Sequence, residues 1–390
     1  MTGTQLSRRA VLAWALATSG SALITGCQEA SPGAAADIGS LLFMTDWDSP
    51  RLTAFDMGRG RVHATTDLPT APSHLIATPE TGLVAASDPV GNRLWVMDGT
   101  TLTFRHTASL NLTPWLMAFS ADGHHLAAAD MGAGTIEILD PVAGETRYRV
   151  GGFEGAHDLR FGANSADLFV STLDSPTVRA IDLRSGRVTA AFDLPAARHG
   201  IDHLTRTADG EAGILIGPRA TRQDVAVIDL RHRRPIRWWR TDRYYRRAYS
   251  DPYSRFFLLA SDRLPGLDLI HPATGQPAGH VATETAIDLF AYGFLSSLLV
   301  IGHREQGRLA LVESADLTVV DTLAMDGPIH SVFMEETRDQ ATVVMADGRV
   351  ITLDVLSADR HPRFEPVATL DLAVRPDLTT HANSLSFCHA

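Results

Sequence analysis

Histidine recurs at one place relative to a repeated pattern in the chain, at the start of a short apolar segment. The residues at this place are His74, His157, His203, His330 and His381. A neutral imidazole binds zinc, copper or iron through a ring nitrogen, so a set of such side chains can build a metal site. Histidine accounts for only 16 of the 390 residues, and random placement does not explain this recurrence. We therefore expect a ring of candidate ligands.

Carboxylates are the second component of the predicted site. Asp46 and Asp48 lie in the turn sequence TDWDSP, which we expect at the same end of the fold as the histidines. An aspartate can also bind the second ring nitrogen of a histidine and fix its tautomer, as Asp158 would for His157 or Asp202 for His203. We predict that two or three of the histidines bind zinc or copper together with one loop carboxylate. The alternative is that they are polar side chains hydrogen-bonded to neighbouring strands.

A second group of residues is rich in arginine. Residues 231–255 contain nine arginines with interleaved aromatic side chains, among them Arg243, Arg246 and Arg247. Guanidinium groups pair with carboxylates in a forked geometry and stack on aromatic rings. The segment therefore indicates a site for an anionic ligand, such as a carboxylate or a lipid headgroup. The alternative is an outer strand followed by an exposed loop.

Composition excludes several other kinds of chemistry. The chain contains no lysine, which excludes a Walker-type phosphate loop, a lysine Schiff base and a Ser–Lys nucleophile. It also contains no GxSxG sequence, the pattern of a serine-hydrolase nucleophile elbow. The formal net charge of −11 disfavours nucleic acid as a partner. These exclusions favour a binding protein over an enzyme.

The elements that must position these residues follow from an internal repeat of about 42 residues. Short apolar segments end in a turn residue at regular intervals. These turn residues are Asp56, Asp98, Asp140, Asp182, Asp229, His271, Glu313 and Asp354. Each interval has room for four strands of about 5–6 residues. Four strands per repeat is typical of a propeller blade, so we predict an all-β, eight-bladed β-propeller as a single domain over residues 39–390.

Alignment of the eight repeats places the five histidines, together with Trp115, Arg246 and Asp288, at the start of the innermost strands. These strands line the central channel of a propeller, so the position should lie at the channel mouth. The first repeat begins without an innermost strand of its own, whereas residues 381–390 form a spare segment after the last repeat. We predict that this C-terminal segment pairs beside residues 40–56 and closes the ring.

The N-terminal residues indicate export. Arg8 and Arg9 form a twin-arginine pattern, and an apolar run of 15 residues follows. This run is shorter than the ~20 residues that a membrane span needs. The sequence ITGC then resembles a bacterial lipobox, which implies cleavage before Cys27 and lipidation of its thiol. We expect a cleaved signal peptide over residues 1–26, a lipidated tether over residues 27–38, and a lipoprotein anchored to a membrane in the periplasm.

The repeat pattern and strand sequences such as LLFMTDWDSPRLTAFD resemble two groups of known proteins. One is the periplasmic propellers with YVTN-type repeats, and the other is the haem-d1 domain of cytochrome cd1 nitrite reductase. The resemblance extends over the whole mature chain. More loosely, the chain is similar to a family of propeller zinc metallochaperones.

Two hypotheses of function follow, with a protein-interaction scaffold as a third. In the first, the channel histidines bind zinc or copper, and the protein delivers the metal to a metalloprotein or transporter or assists assembly of a metal centre. The second is implied by the resemblance to the haem-d1 proteins: a d1-type tetrapyrrole lies across the channel with one ring histidine as axial ligand. The arginines would then bind its carboxylates, and the protein would bind or oxidise a precursor of d1 haem. A Soret absorption band distinguishes the second hypothesis from the first.

Overall fold

The computed structural model describes residues 37–193, 200–218, 222–261, 263–293, 298–335, 338–356 and 361–381. Within these ranges the chain forms 32 β-strands and one 3-10 turn, Ile38–Ser40, which confirms the predicted all-β class. No helix in this part of the chain is long and apolar enough to span a membrane. The predicted signal peptide and Cys27 lie outside the described residues, and the tether is described only from Asp37.

The 32 strands form eight antiparallel, four-stranded sheets, which are the eight blades predicted from the repeat. Blade 1 contains β1 (Leu41–Asp46), β2 (Arg51–Asp56), β3 (Arg61–Asp67) and, as its innermost strand, β32 (Pro376–His381). In the other blades the strands run in chain order from the innermost to the outermost.

Blade 2 contains β4 (His74–Thr78), β5 (Leu83–Asp88), β6 (Arg93–Asp98) and β7 (Phe104–Ser109). Blade 3 contains β8 (Leu116–Phe119), β9 (Leu126–Asp130), β10 (Thr135–Asp140) and β11 (Glu145–Val150). Blade 4 contains β12 (Ala156–Phe161), β13 (Asp167–Thr172), β14 (Ser175–Asp182) and β15 (Arg187–Asp193). Blade 5 contains β16 (His203–Arg206), β17 (Ala212–Ile216), β18 (Gln223–Asp229) and β19 (Arg234–Thr241). Blade 6 contains β20 (Tyr245–Ser250), β21 (Phe257–Ser261), β22 (Leu267–Ile270) and β23 (Pro277–Val281). Blade 7 contains β24 (Leu289–Tyr292), β25 (Leu298–His303), β26 (Arg308–Glu313) and β27 (Thr318–Ala324). Blade 8 contains β28 (Ile329–Met334), β29 (Gln340–Met345), β30 (Arg349–Leu356) and β31 (Pro362–Asp371).

The ring is closed within blade 1, where β32 pairs with β1. Leu42 lies opposite His381 in this pairing, and Asp46 lies opposite Pro376. Closure by a C-terminal strand is therefore confirmed, but the strand is Pro376–His381 and not the expected segment 381–390. The difference arises because His381 was expected to begin the strand, whereas its pairing makes it the last residue. Residues 382–390 lie outside the described residues.

Eight apolar cores hold the ring together, one between each pair of neighbouring blades. In β1, Leu41 and Phe43 pack toward blade 2, whereas Leu42 and Met44 pack toward blade 8. None of these four residues is more than 1% exposed. A strand that is buried on both faces needs a continuous apolar run, which explains the sequence LLFM. Because no blade can bury both faces alone, the blades depend on one another for stability.

The acidic residues of the repeat form turns between the third and fourth strands. Asp140 ends β10, and its Oδ1 accepts the N–H groups of Val142 and Ala143, each at 3.0 Å. Gly144 completes this turn with a φ of 76°, which glycine adopts without steric strain. The same type of contact is made by Asp56, Asp98, Asp182 and Asp229. The most regular feature of the sequence therefore encodes the fold, not the functional site.

The alternating strand directions give the central channel two distinct ends. The innermost strands begin at one end, called here the upper end. The loops between the second and third strands of the blades lie at the same end. The innermost strands finish at the lower end.

Candidate functional site

The repeat position predicted at the channel mouth lies at the upper end of the innermost strands. Its four histidines are His74, His157, His203 and His330, on blades 2, 4, 5 and 8. Blades 3, 6 and 7 have Trp115, Arg246 and Asp288 at or next to this position. The upper end of the channel is thus lined by side chains of different chemistry from different blades.

His381 is an exception, because it is the last residue of β32 and lies at the lower end. It is 3% exposed, and its Nε2 donates a hydrogen bond to the carbonyl oxygen of Gly39 at 2.7 Å. Burial lowers the pKa of His381 to about 4. The half-buried residue at the upper end of β32 is Asp377, so the expectation that His381 lies at the channel mouth is wrong.

The two loop carboxylates lie at the upper end, where β1 finishes. Asp46 is held in its own turn, because its carboxylate accepts hydrogen bonds from the Ser49 hydroxyl at 2.7 Å and the Arg375 N–H at 3.1 Å. Burial acts to raise the pKa of Asp46, but these hydrogen bonds outweigh it and lower the pKa. Asp48 is exposed. Among the described residues, no three His, Cys, Asp or Glu side chains form a group that could hold a metal ion, so the zinc or copper site stays a prediction.

Blades 4 and 5 are linked by reciprocal contacts between histidine and aspartate. His157 Nδ1 lies 3.0 Å from the Asp202 carboxylate and 2.8 Å from the Asp202 carbonyl oxygen. In the opposite direction, Asp158 of blade 4 lies 3.1 Å from His203 Nδ1 of blade 5. The contacts with Asp202 place the proton of His157 on Nδ1 and raise its pKa. Nε2 of His157 is therefore left available as an acceptor or a ligand.

Hydrogen bonds engage two further ring histidines on both nitrogens. His203 Nε2 lies 3.0 Å from the Thr205 hydroxyl, in addition to the aspartate contact at its Nδ1. His330 Nε2 donates to the carbonyl oxygen of Asp377 at 3.0 Å, and its Nδ1 lies 3.3 Å from a neighbouring hydroxyl. The ring nitrogens of His74, by contrast, form no hydrogen bond to another residue in the described ranges.

Two arginines in the innermost strands were missed by the sequence analysis. Arg160 and Arg206 each follow the ring histidine of their blade by three residues. Arg160 Nε donates to the carbonyl oxygen of Leu204 at 2.9 Å, and its Nη2 lies 3.3 Å from Asp158. Arg206 Nε donates to the carbonyl oxygen of Phe161 at 2.8 Å. The signal that could have found them is the H-x-x-R spacing, which occurs in two successive blades as HDLR and HLTR.

The three arginines predicted to bind an anion have different environments. Arg243, in the loop between β19 and β20, forms an ion pair through its Nε with Asp268 of blade 6 at 2.7 Å. Arg246 is exposed and Arg247 is half-buried. Neither of their guanidinium groups forms a hydrogen bond or ion pair with another residue that the structure describes. Arg304, from the loop after β25, brings a further positive charge close to Arg246.

The charges of two arginines act on His74. Loss of hydration, followed by the charges of Arg160 and Arg247 from blades 4 and 6, lowers the pKa of His74 to about 4. The residue as a whole is half-buried. Burial and repulsion by Arg247 also act to lower the pKa of Arg160, although Asp158 opposes them. At pH 7 the channel therefore contains a neutral imidazole with guanidinium groups nearby.

This set of groups fits an anionic ligand that carries a metal ion. A guanidinium partly removed from water and without a counter-ion is unfavourable until an anion pairs with it. Carboxylates suit this role because they bind arginine in a forked geometry. A neutral imidazole is a ligand for iron. The side chains on the innermost strands therefore fit a tetrapyrrole that has carboxylate substituents.

Comparisons with known proteins agree with this architecture. No protein-family model matches the chain, and no curated protein matches it. Among solved structures, it is similar to the dihydro-haem d1 dehydrogenase NirN in complex with DHE, with a TM-score of 0.69 and 15% sequence identity over 89% of this chain and 76% of that one. It is also similar to hydrazine synthase from Kuenenia stuttgartiensis, with a TM-score of 0.54 and 14% identity over 72% of this chain and 94% of that one. The chain thus has the fold of an eight-bladed propeller that resembles a haem-d1 protein.

Proposed function

We propose that the protein binds an iron-bearing tetrapyrrole of the haem-d1 type in its channel and acts in the binding or maturation of that cofactor. The observation that carries the proposal is the placement of His74, Arg160 and Arg247 on the innermost strands of blades 2, 4 and 6, where the charges of the two arginines add to the lowering of the pKa of His74. Three blades contribute these residues, so the site exists only when the ring is assembled. Similarity to NirN supports the proposal at the level of the fold, because that protein was solved in complex with DHE.

Each group has a distinct role in this proposal. Arg247 pairs with a ligand carboxylate, while Arg160 is held in place by Asp158 and adds to the positive potential. His74 supplies a neutral nitrogen to the iron. His157, with its tautomer fixed by the contact with Asp202, can hold or accept a proton at Nε2. The tetrapyrrole, when bound, supplies a conjugated ring and an iron that changes oxidation state.

The histidine environments favour a tetrapyrrole over a bare metal ion. Delivery of zinc or copper would need several imidazole nitrogens that can turn toward one ion. The nitrogens of His203 and His330 instead have partners within the protein. From the twin-arginine and lipobox sequences, we further propose that the tetrapyrrole is bound at a membrane surface in the periplasm.

Haemin titration of the purified protein tests the proposal. The parent protein should develop a Soret band and bind haemin in a one-to-one complex. Arg247→Gln should weaken binding about tenfold or more, since a charge-assisted pair is lost. Its thermal stability should stay unchanged, because Arg247 has no ion pair to lose within the described structure.

Arg233→Gln is the matched control. Arg233 Nη2 lies 3.1 Å from both carboxylate oxygens of Asp167 in the neighbouring blade. Its replacement should lower the free energy of unfolding by about 1 kcal/mol and leave haemin affinity unchanged. The proposal is overturned if the parent protein gives no Soret band, or if Arg247→Gln binds haemin as tightly as the parent.

A further inference from the structure

Three exposed apolar side chains lie at the upper end of three consecutive blades. Trp47, in the loop after β1 of blade 1, is 61% exposed, and Val90, in the loop after β5 of blade 2, is 96% exposed. Trp115, directly before β8 of blade 3, is 50% exposed. Among the residues that the structure describes, the other large apolar side chain exposed at this end is Leu264 of blade 6. Exposed apolar surface at the upper end is therefore concentrated on blades 1 to 3.

The two tryptophans lie on backbone that is held by hydrogen bonds. The Trp47 N–H donates to the carbonyl oxygen of Arg375 at 2.7 Å, and the Trp115 N–H donates to the carbonyl oxygen of Ala129 at 3.0 Å. The guanidinium of Arg375 also lies 5.2 Å from the centre of the Trp47 ring. A partner that covers these rings has little backbone to order, so less of the binding free energy is lost. Tryptophan is among the residues that contribute most to binding at protein interfaces.

The charged side chains around these apolar residues are mainly acidic. Carboxylates that form no ion pair with an arginine of the described chain lie at the upper end of blades 1 and 3 and in the connection from blade 3 to blade 4: Asp46, Asp48, Asp130 and Glu154. Three arginines at this end are each paired with a carboxylate of their own blade: Arg51, Arg93 and Arg149. Arg375 is the remaining described arginine at the upper end of blades 1 to 3. This part of the surface thus complements a partner that carries basic residues.

Two observations favour a protein over a lipid surface as this partner. First, the acidic side chains would repel anionic phospholipid headgroups. Second, the described chain enters the fold at the opposite end, where Gly39 accepts a hydrogen bond from His381. Nine residues separate Asp37 from the predicted lipidation site, Cys27. A lipid anchor at Cys27 would therefore hold the lower end toward the membrane and leave the upper end facing the aqueous periplasm.

We propose that the upper end of blades 1 to 3 docks a protein that has basic residues around an apolar centre. Trp47, Val90 and Trp115 lie in the middle of this contact, and the surrounding carboxylates pair with the basic residues of the partner. Docking there places the partner next to the upper end of the channel. The inference goes beyond the proposed function and does not depend on which ligand the channel binds.

Photo-crosslinking in the cells that produce the protein tests this surface. The full-length chain with p-benzoylphenylalanine in place of Val90 should give one main crosslinked product, a protein with a basic surface that mass spectrometry identifies. The same group in place of Val142 is the matched control, because Val142 is 62% exposed but lies in the turn after β10 at the lower end. The product obtained from Val90 should be absent from the Val142 control.

Variants then measure the contribution of the tryptophans. In the chain that carries the crosslinker at position 90, Trp115→Ala should lower the yield of the product about tenfold. Tyr253→Ala should leave the yield unchanged, because Tyr253 is equally exposed, at 50%, but lies in the lower turn after β20. The identified protein, once purified, should bind the parent less tightly as salt concentration rises. Trp115→Ala should weaken this binding about tenfold or more.

Other outcomes overturn the docking proposal. They are crosslinks from position 90 to phospholipid, to a second copy of this chain or to the same products as position 142, and the absence of any product. A purified partner that binds Trp115→Ala as tightly as the parent would also overturn it. None of these measurements uses haemin, so they leave the proposed function to be decided by its own titration.

Discussion

Four histidines occupy the same place in four blades, yet their ring nitrogens have different partners. His157 is held by a carboxylate, which favours the protonated ring. His330 is half-buried and donates to a backbone carbonyl, and loss of hydration lowers its pKa to about 4. His74 keeps both nitrogens free of hydrogen bonds to described residues. A repeat can thus supply one residue type at several positions while neighbouring blades determine what each copy does.

These opposite pKa shifts predict opposite effects of pH on stability. His330 has a pKa of about 4 in the folded protein and an ordinary value of 6.5. Between these values the unfolded chain binds a proton that the folded chain does not, so stability falls as pH decreases from 6.5 toward 4. The slope for one such group is at most about 1.4 kcal/mol per pH unit. His330→Gln, which keeps an N–H donor, should make the loss of stability between pH 7 and 5 shallower.

His157→Gln is the counterpart with the opposite sign. Because the folded pKa of His157 is raised, its stabilising contribution is fully present below pH 6.5 and is lost as pH rises through the folded value. The His157→Gln variant should therefore be less stable than the parent at pH 5 and nearly as stable as the parent at pH 8. Urea unfolding at a series of pH values measures both variants. Parallel pH profiles for the two variants and the parent would contradict these assignments.

At the scale of the element, the strand β32 differs from all other strands because it pairs with β1, the first strand in the sequence. The N–H of Leu378 donates to Thr45 Oγ1 at 3.0 Å across a separation of 333 residues. Thr379 and Thr380 are buried beside Met44 and Phe43 of β1. Without β32, blade 1 would have three strands, and the inner edge of β1 would lose its hydrogen-bonding partner.

Two truncations test this role of β32. A chain ending at His381 retains the closing strand and should melt within a few degrees of the parent. A chain ending at Arg375 lacks it and should be insoluble or strongly destabilised, because β1 is an apolar edge strand. Circular dichroism melting and sedimentation measure the difference. Equal stability of the two truncated chains would show that the ring does not depend on β32.

The strands and turns could be predicted well because they depend on interactions between residues that are close together in the sequence. Asp140 and its equivalents mark turns, and runs such as LLFM mark strands buried on both faces. The contacts of the channel side chains could be predicted less well, because they depend on which atoms of neighbouring blades lie close together. The carbonyl oxygen that engages His330 belongs to Asp377, and the one that engages Arg160 belongs to Leu204. Neither partner has a pattern of its own in the sequence.

At the scale of the whole molecule, the distribution of charge separates the channel from the surface. The chain has a formal net charge of −11, yet the innermost strands of blades 4 to 6 contribute four arginines. A net negative charge disfavours contact with anionic polymers, while a local positive potential attracts a small anionic ligand. The protein thus combines a net negative charge with a group of arginines in the channel.

The export sequence gives a prediction that concerns the whole protein. Cys27→Ser should release the protein from membranes into the soluble periplasmic fraction, because stable attachment would depend on acyl chains at this residue. Replacing both Arg8 and Arg9 by lysine should block export. Fractionation followed by immunoblotting measures both results. Unchanged membrane attachment of Cys27→Ser would contradict the lipobox interpretation.

The order of the strands also determines when this protein can become functional during its synthesis. β1 leaves the ribosome first among the strands, but its inner neighbour β32 leaves last. Until β32 is synthesised, the growing chain therefore carries an unpaired apolar edge that can capture other nascent chains. The ring cannot close before β32 has left the ribosome, so closure follows the synthesis of all the other described strands. A cell that makes this protein needs a chaperone, or a high folding rate, to protect that edge in the interval.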